Sequence, residues 1–198
     1  MDSRTRLVEA TQDLLWEQGY SATSPKDIMR RSGAGQGSMY HHFTNKQELA
    51  VEALERSALS MRHDAEKLLA ADGSACEIAT AYLRRQRDVL KGCRMGRMTF
   101  DADVLNTPEL IEPVKRTFVW LLEALTVLFE RGRDQGEFAA DIDARNLASL
   151  VVATVQGGYV LARATRDVDA FDAAVEGAAA LLRKAELPLI TEVSDHSE

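Results

Sequence analysis

Apolar residues in this chain recur at spacings of three and four, and the period-two alternation of a half-buried strand is hard to find anywhere in it. A chain patterned this way packs helix on helix, so the predicted fold class is all-α. The pattern breaks most sharply at RRSGAGQGSMYHHFTNK, residues 30–46, where three glycines, two adjacent histidines and a tyrosine separate stretches that read as plain helix.

The helices on either side can be placed from their signals. Leu7, Thr11, Leu14 and Leu15 share one face of a first helix, which Gly19 ends by adopting left-handed backbone. In SPKD, Ser24 is a hydroxyl N-cap, Pro25 suits the first helical position and Asp27 is the acid of a capping box, giving a second helix to about Ser32. GAG supplies a turn, since Gly33 and Gly35 tolerate backbone angles that strain other residues, and a short helix follows from Gln36 to about Phe43. Two short helices joined by a glycine-bearing turn are the sequence form of a helix-turn-helix. Asn45, with Glu48 at the capping-box position, opens a long helix whose stripe of Leu54, Ala58, Met61, Ala65, Leu68 and Leu69 links head to body.

Further helices are predicted from about Ala75 to Lys91, from TPEL through Leu128 with Pro113 as a point of kinking or restart, and then over two C-terminal stretches. In those last stretches, Leu147, Leu150, Val151, Thr154, Val155, Gly158 and Leu161, then Phe171, Ala174, Val175, Ala178 and Leu182, step at helical spacing as an antiparallel pair. The expected organisation is a helix-turn-helix head over residues 1–46, a helical body over 47–186 and a flexible tail over 187–198, frayed from about Glu186.

Composition narrows the function classes. With 198 residues, 45% of them apolar, the chain can bury one large or two small cores, so disorder is not expected. Residues 1–50 balance six Lys/Arg against six Asp/Glu, and the rest carries the whole net charge of −7. An acidic body with a neutral, locally basic head allows contact with a polyanion at one place and discourages it elsewhere. Two cysteines are too few for a disulfide framework and no signal sequence opens the chain, so a cytoplasmic location is expected. The most apolar stretch, Leu147 to Ala162, is shorter than the roughly 20 residues of a membrane span and contains Gln156 and a glycine pair, so it reads as a buried helix. No carboxylate is paired with a nucleophile, a metal-ligand spacing or a cofactor loop, which argues against an enzyme and against a cofactor. His41 and His42 point about 100° apart on a helix and have no cysteine or acid cluster beside them, so no metal site is expected.

The short helix after the glycine turn separates into two faces. Met39 and Phe43 lie four apart and anchor it inward, while Gln36, Ser38, Tyr40 and His41 occupy the remaining surface, all able to hydrogen-bond and none acidic. Such a helix fits the DNA major groove, where amides and hydroxyls read base edges and Tyr, His and Lys reach phosphates. Gly37 brings its backbone closer still. Solvated surface on an ordinary glycine turn is the alternative reading of the same residues.

GYSATSPKDIMRRSGAGQGSMYHHFTNKQELAVEAL, Gly19 to Leu54, closely resembles the DNA-binding domain of the TetR family of bacterial transcriptional regulators, with matching spacing throughout. The resemblance implies a homodimer of all-helical subunits, with three N-terminal helices for DNA and a C-terminal domain that binds a small effector and dimerises. On the family pattern Ser24 and Lys26 meet the DNA backbone, Gln36, Gly37 and Ser38 approach bases, Tyr40 and His41 approach phosphate or base with His42 beside them, and Lys46 binds phosphate. Gly35 and Gln36 stand where many members have Ser and Lys, losing a hydroxyl and a charge, so the operator cannot be carried over. Further along, GCRMGRM is similar to a GCxxGN segment of one subgroup, with Arg97 in place of Asn, and GEFAADIDARNLASLVVATVQGG is similar to the entry into the dimerising helix. From the resemblance the dimer interface is expected at Leu150, Val151, Thr154, Val155, Gly158, Phe171, Ala174, Val175, Ala178 and Leu182, residues whose spacing alone fits intramolecular core equally well.

The function expected is that of a ligand-responsive repressor, released from a pseudopalindromic operator by a small, largely apolar effector. An adaptable effector pocket is predicted among Met61, Tyr82, Met95, Met98, Phe100, Phe118, Trp120 and Leu121, each of which also fits ordinary core. Control by a protein partner, or by modification of Cys93, which Lys91, Arg94 and Arg97 flank, is the alternative.

Overall fold

The computed structural model describes residues 2–187, and among these it contains ten helices and a single isolated bridge, between Phe138 and Glu186. The first four are α1 (Ser3–Gln18), α2 (Pro25–Ser32), α3 (Gln36–His42) and α4 (Lys46–Leu69), followed by α5 (Ala75–Arg84), α6 (Arg94–Met98) and α7 (Ala102–Leu105). Three long helices complete the body: α8 (Pro108–Asp134), α9 (Ala144–Thr165) and α10 (Asp169–Ala185).

Caps set most of these boundaries. Ser24 accepts from the Asp27 amide while Asp27 accepts from the Ser24 amide, the reciprocal capping box expected from SPKD. Asn45 caps α4 through the Glu48 amide at 2.9 Å, but the Glu48 carboxylate reaches one residue further back, to the Thr44 amide at 2.7 Å. The chain runs through Pro113 as helix, so α8 is one unbroken element. Asp143, which accepts from the Arg145 and Asn146 amides, starts α9 three residues before the first apolar position of the sequence pattern.

The fifth helix departs further from expectation, stopping at Arg84 where the pattern predicted Lys91. The Arg87 side chain folds back and donates to the carbonyls of Tyr82, Leu83 and Arg85, filling acceptors that another helical turn would have used. Residues 85–93 therefore cross the surface as a loop. Two short helices occupy the region next expected to be irregular, with Cys93 capping α6 and Asp101 capping α7.

Two cores share the helix α4. The lower one gathers Leu7, Leu14, Ile28, Met39, Phe43, Leu49 and Leu54 from the first four helices, together with Met95, Met98, Val104, Leu110 and Val114 from the body. The upper one packs α5, α8, α9 and α10 around Leu83, Leu125, Phe129, Val151, Val155, Phe171 and Leu182, with Ala65, Leu68 and Leu69 of α4 against it. A displacement of α4 is felt in both cores.

The predicted interface residues need a correction. Val151, Val155, Phe171, Val175, Ala178 and Leu182 are buried inside the subunit, Gly158 lies beneath the Phe171 ring, and Thr154 and Ala174 are half-buried, leaving Leu150 as the exposed member of the set. Those side chains bind α9 and α10 to α5 and α8. The opposite face of the pair carries Leu150, Ala153, Gly157, Val160 and Leu161 on α9, and Ala173, Gly177 and Leu181 on α10, all exposed. A helix apolar on both faces has the length and mean hydropathy of a membrane span, as α9 does, and here one of those faces is core. Glu186 and Leu187, expected to fray, are tied down by the bridge to Phe138 and by the Leu187 amide donating to the Glu137 carbonyl at 2.7 Å. The rest of the predicted tail lies outside the described residues.

Candidate nucleic-acid interface

The turn between α2 and α3 uses its glycines unequally. Gly33 takes φ +65°, the left-handed conformation that ends α2, whereas Gly35, the N-cap of α3, has ordinary extended backbone at φ −75°. Gly35 thus supplies no side-chain cap and is not required by backbone geometry. Met39 and Phe43 are fully buried and Ala34 nearly so, which fixes the rotation of α3 on α1 and α4. That rotation turns Gly37, Tyr40 and His41 outward with Gln36, while Ser38 is half-buried at the edge. Tyr40 is 49% exposed, its ring left largely uncovered by the described residues. No acidic residue lies between Thr23 and Asn45 except Asp27, which is engaged by Ser24 and Arg30.

The other expected DNA-binding residues are placed differently. Lys26 is exposed on the first turn of α2, and Ser24 spends its hydroxyl in the cap. His42 faces α1, where its Nε2 lies 2.9 Å from the Ser3 hydroxyl. Lys46 is turned inward: its ammonium donates to the carbonyls of Tyr20 and Thr23 at 3.2 and 3.1 Å and lies over the Tyr20 ring. Burial lowers its pKa against the pull of Asp103 and Asp101. In this state Lys46 braces the loop between α1 and α2, leaving one N–H for an outside acceptor.

Head and body are clasped through that same loop. Asp101 accepts from the Ser21 amide at 2.8 Å and its hydroxyl at 2.6 Å. Trp16, near the end of α1, donates from Nε1 to the Gly92 carbonyl at 3.0 Å and is flanked by Lys91 and Arg94 over its ring.

Behind Trp16 a cleft of about 150 Å³ opens between the loop 85–93, α4, α8 and α9. Four predicted pocket residues, Met61, Tyr82, Phe118 and Leu121, line it. The other four do not. Met95 and Met98 are wholly buried under the head, where α6 completes the lower core. Phe100, just past the end of α6, is turned outward by the chain's approach to the Asp101 clasp and is 80% exposed in a groove with Val160 and Arg163. Trp120 lies on the outer side of α8 under the Arg62 guanidinium. The cleft also takes in residues the sequence pattern did not select: Trp16 from the head, Arg85 and Arg87 from the loop, and Gln156 and Tyr159 from α9. Cys93 lines it too, its Sγ accepting from the Gly96 amide, whereas Cys76 is buried and desolvation raises its thiol pKa to about 11.

A short outward helix, set on a three-helix head above a larger helical body, defines a helix-turn-helix DNA-binding protein. Residues 7–53 match the bacterial regulatory proteins of the tetR family, and residues 73–178 match the tetracyclin repressor-like C-terminal domain. The chain belongs to the TetR family: it is a DNA-binding transcriptional regulator and not an enzyme. It is 25% identical over 173 residues to an uncharacterized HTH-type transcriptional regulator of Bacillus subtilis, YxaF, a match covering 84% of this chain and 87% of the relative. A TetR transcriptional regulator from Chloroflexus aurantiacus superposes with a TM-score of 0.83 at 27% identity, covering 93% of this chain and 96% of the other. The regulator CifR, solved as a cysteine mutant complexed with 26bp double-strand operator DNA, superposes with a TM-score of 0.75 at 21% identity over 89% of this chain and 94% of its own.

Proposed function

We propose that this protein is a repressor that binds a pseudopalindromic operator as a homodimer and leaves it when a small, largely apolar effector enters the cleft behind Trp16. The observation that carries the reading is the exposed, acid-free face of α3, held in orientation by Met39 and Phe43. Gln36, Gly37 and Ser38 approach base edges in the major groove, and Tyr40, His41, Lys26 and the Ser24 turn meet backbone phosphates. Within the family, CifR has been solved on operator DNA, which supports the same use of this head. The protein acts where the chromosome is, in the cytoplasm.

Dimerisation falls to the outward faces of α9 and α10, where Gly157 and Gly177 leave room for helices of a second subunit to approach closely. Two heads so joined stand about 34–36 Å apart, or a multiple of that, to meet successive major grooves. An effector shifts that spacing only through different affinities for the two head positions. The cleft has two mechanical outlets toward the head: α4, shared by both cores, and Trp16, which belongs to α1 and forms part of the cleft wall.

Selection of bound sequences from random duplex DNA tests the reading, followed by titration of a selected duplex at several salt concentrations. A pseudopalindrome, a negative salt slope and about a tenfold or greater loss of affinity in Tyr40→Ala are expected. A folded dimer that enriches no sequence would overturn it.

A further inference from the structure

The cleft behind Trp16 has apolar walls and an excess of positive charge. Arg85, Arg87 and Arg94 line it against a single carboxylate, Asp88. Asp88 is paired with Lys91 at 3.5 Å and Arg94 with Asp13 at 3.6 Å, and no carboxylate among the described residues pairs with Arg85 or Arg87.

Arg87 is held by the cap it forms on α5. Its Nη1 donates to the carbonyls of Leu83 and Arg85 at 2.7 and 2.8 Å, and Nη2 to that of Tyr82 at 2.6 Å. A guanidinium has five N–H donors, so Nε–H and one hydrogen on Nη2 remain, and Nε is buried without a partner among the described residues. The rings of Tyr82 and Phe171 lie 5.4 and 5.7 Å from the guanidinium carbon. Burial lowers the Arg87 pKa, with Tyr159 and Tyr82 working against the shift and Arg85 adding to it, yet an arginine keeps its charge in such a setting. The cap explains where Arg87 points and supplies no negative charge. A carboxylate supplies the missing charge and an acceptor for the free N–H groups, along the Nε and Nη2 edge in the two-bond geometry that arginine favours.

The remainder of the cleft selects the body of the ligand. Trp16, Phe118, Leu121 and Tyr159 form its apolar wall, and about 150 Å³ is the size of an apolar cavity that holds a single six-membered ring. We propose that the effector is a small organic monoanion, an aromatic or short-chain aliphatic carboxylic acid, with its carboxylate on Arg87 beside Arg85 and its apolar part among these side chains. The proposal rests on the reading of this cleft as the effector site, and specifies the charge of what enters.

Benzoate, phenylacetate and hexanoate are compared with their primary amides, which match them in shape and lack the charge. Binding is followed through Trp16 emission in the full-length dimer carrying Trp120→Phe, which leaves Trp16 as the one indole of the chain. At least one acid is expected to bind about tenfold or more tightly than its amide. That preference should vanish in Arg87→Gln and shrink in Arg85→Gln, each checked for helical content. Amides that bind as well as the acids overturn the anionic assignment and leave the cleft as a binding site. No binding by any of the six compounds overturns both the assignment and the cleft. A preference for acid that persists in both folded arginine variants overturns the role given to these arginines. Because the acid and amide comparison in unaltered arginine background needs no variant to fold, the cap on α5 cannot obscure it, and operator affinity without added compound checks the DNA reading separately.

Discussion

Gly37 sits on the exposed face of α3 with nothing within 4 Å of the place a Cβ would occupy. Within the subunit, therefore, glycine at this position costs helix stability and gains no packing. Gly37→Ala is expected to stabilise the fold by roughly 0.5 kcal/mol, a rise of about 1–2 °C in unfolding temperature. On the proposed seating of α3, the same methyl group would stand between the helix and the floor of the major groove, so operator affinity should fall about tenfold. Calorimetric unfolding and a DNA titration on one preparation check both signs, and a variant that is more stable and binds equally well removes Gly37 from the contact surface. The residue types of this face were legible in the sequence because Met39 and Phe43, four apart, fix which side is buried. Lys46 and His42 were not: the sequence shows a cation and an imidazole near the reading helix, and only folding brings Tyr20, Thr23 and Ser3 to them.

At the scale of the element, α9 shows why a helical period alone leaves an interface unassigned. One face carries Val151, Val155 and Gly158, the other Leu150, Gly157 and Leu161, and both recur at three and four. Adjacent glycines now distinguish them. A Cβ on Gly158 would come 2.8 Å from Cδ2 of Phe171, whereas one on Gly157 meets nothing within 4 Å. Gly158→Ala is expected to destabilise the subunit by about 1–3 kcal/mol through overpacking. Gly157→Ala should leave subunit stability unchanged or slightly raised and weaken self-association, measured by sedimentation at falling concentration. Equal self-association in Gly157→Ala and the parent would move the dimer away from this face. In α5 the hidden determinant was Arg87, whose cap ends the helix at Arg84 although the local sequence continues to suit a helix.

Across the whole molecule, the clasp at Asp101 joins head to body independently of α4. Burial works to raise the Asp101 pKa, but hydrogen bonds from the Ser21 hydroxyl and amide and from the Val104 and Tyr20 amides outweigh it, holding the group below the ordinary carboxylate value. A carboxyl depressed in the folded state contributes stability that is present above the unfolded value, about pH 4, and is lost as pH falls through the lower folded value. Asp101→Asn should therefore unfold at lower temperature than the parent at pH 7, with the gap closing as pH drops below about 4. Thermal unfolding scans from neutral to acid pH test this, and a gap independent of pH would mean that the carboxylate charge is not what the clasp uses.

The sequence by itself determined the all-helical class, the capping box on α2, the glycine turn, the inward anchors of α3 and the single long helix α4, because each depends on residues within a few positions of one another. Tertiary structure decided which apolar face of α9 and α10 is core, that Met95 and Met98 support the head while Trp16 enters the cleft wall, and that Arg85 and Arg87 stand there with no carboxylate among the described residues paired to them. Those outcomes depend on contacts between residues tens of positions apart, where several arrangements satisfy the same local spacing and only the packing of the whole chain selects one.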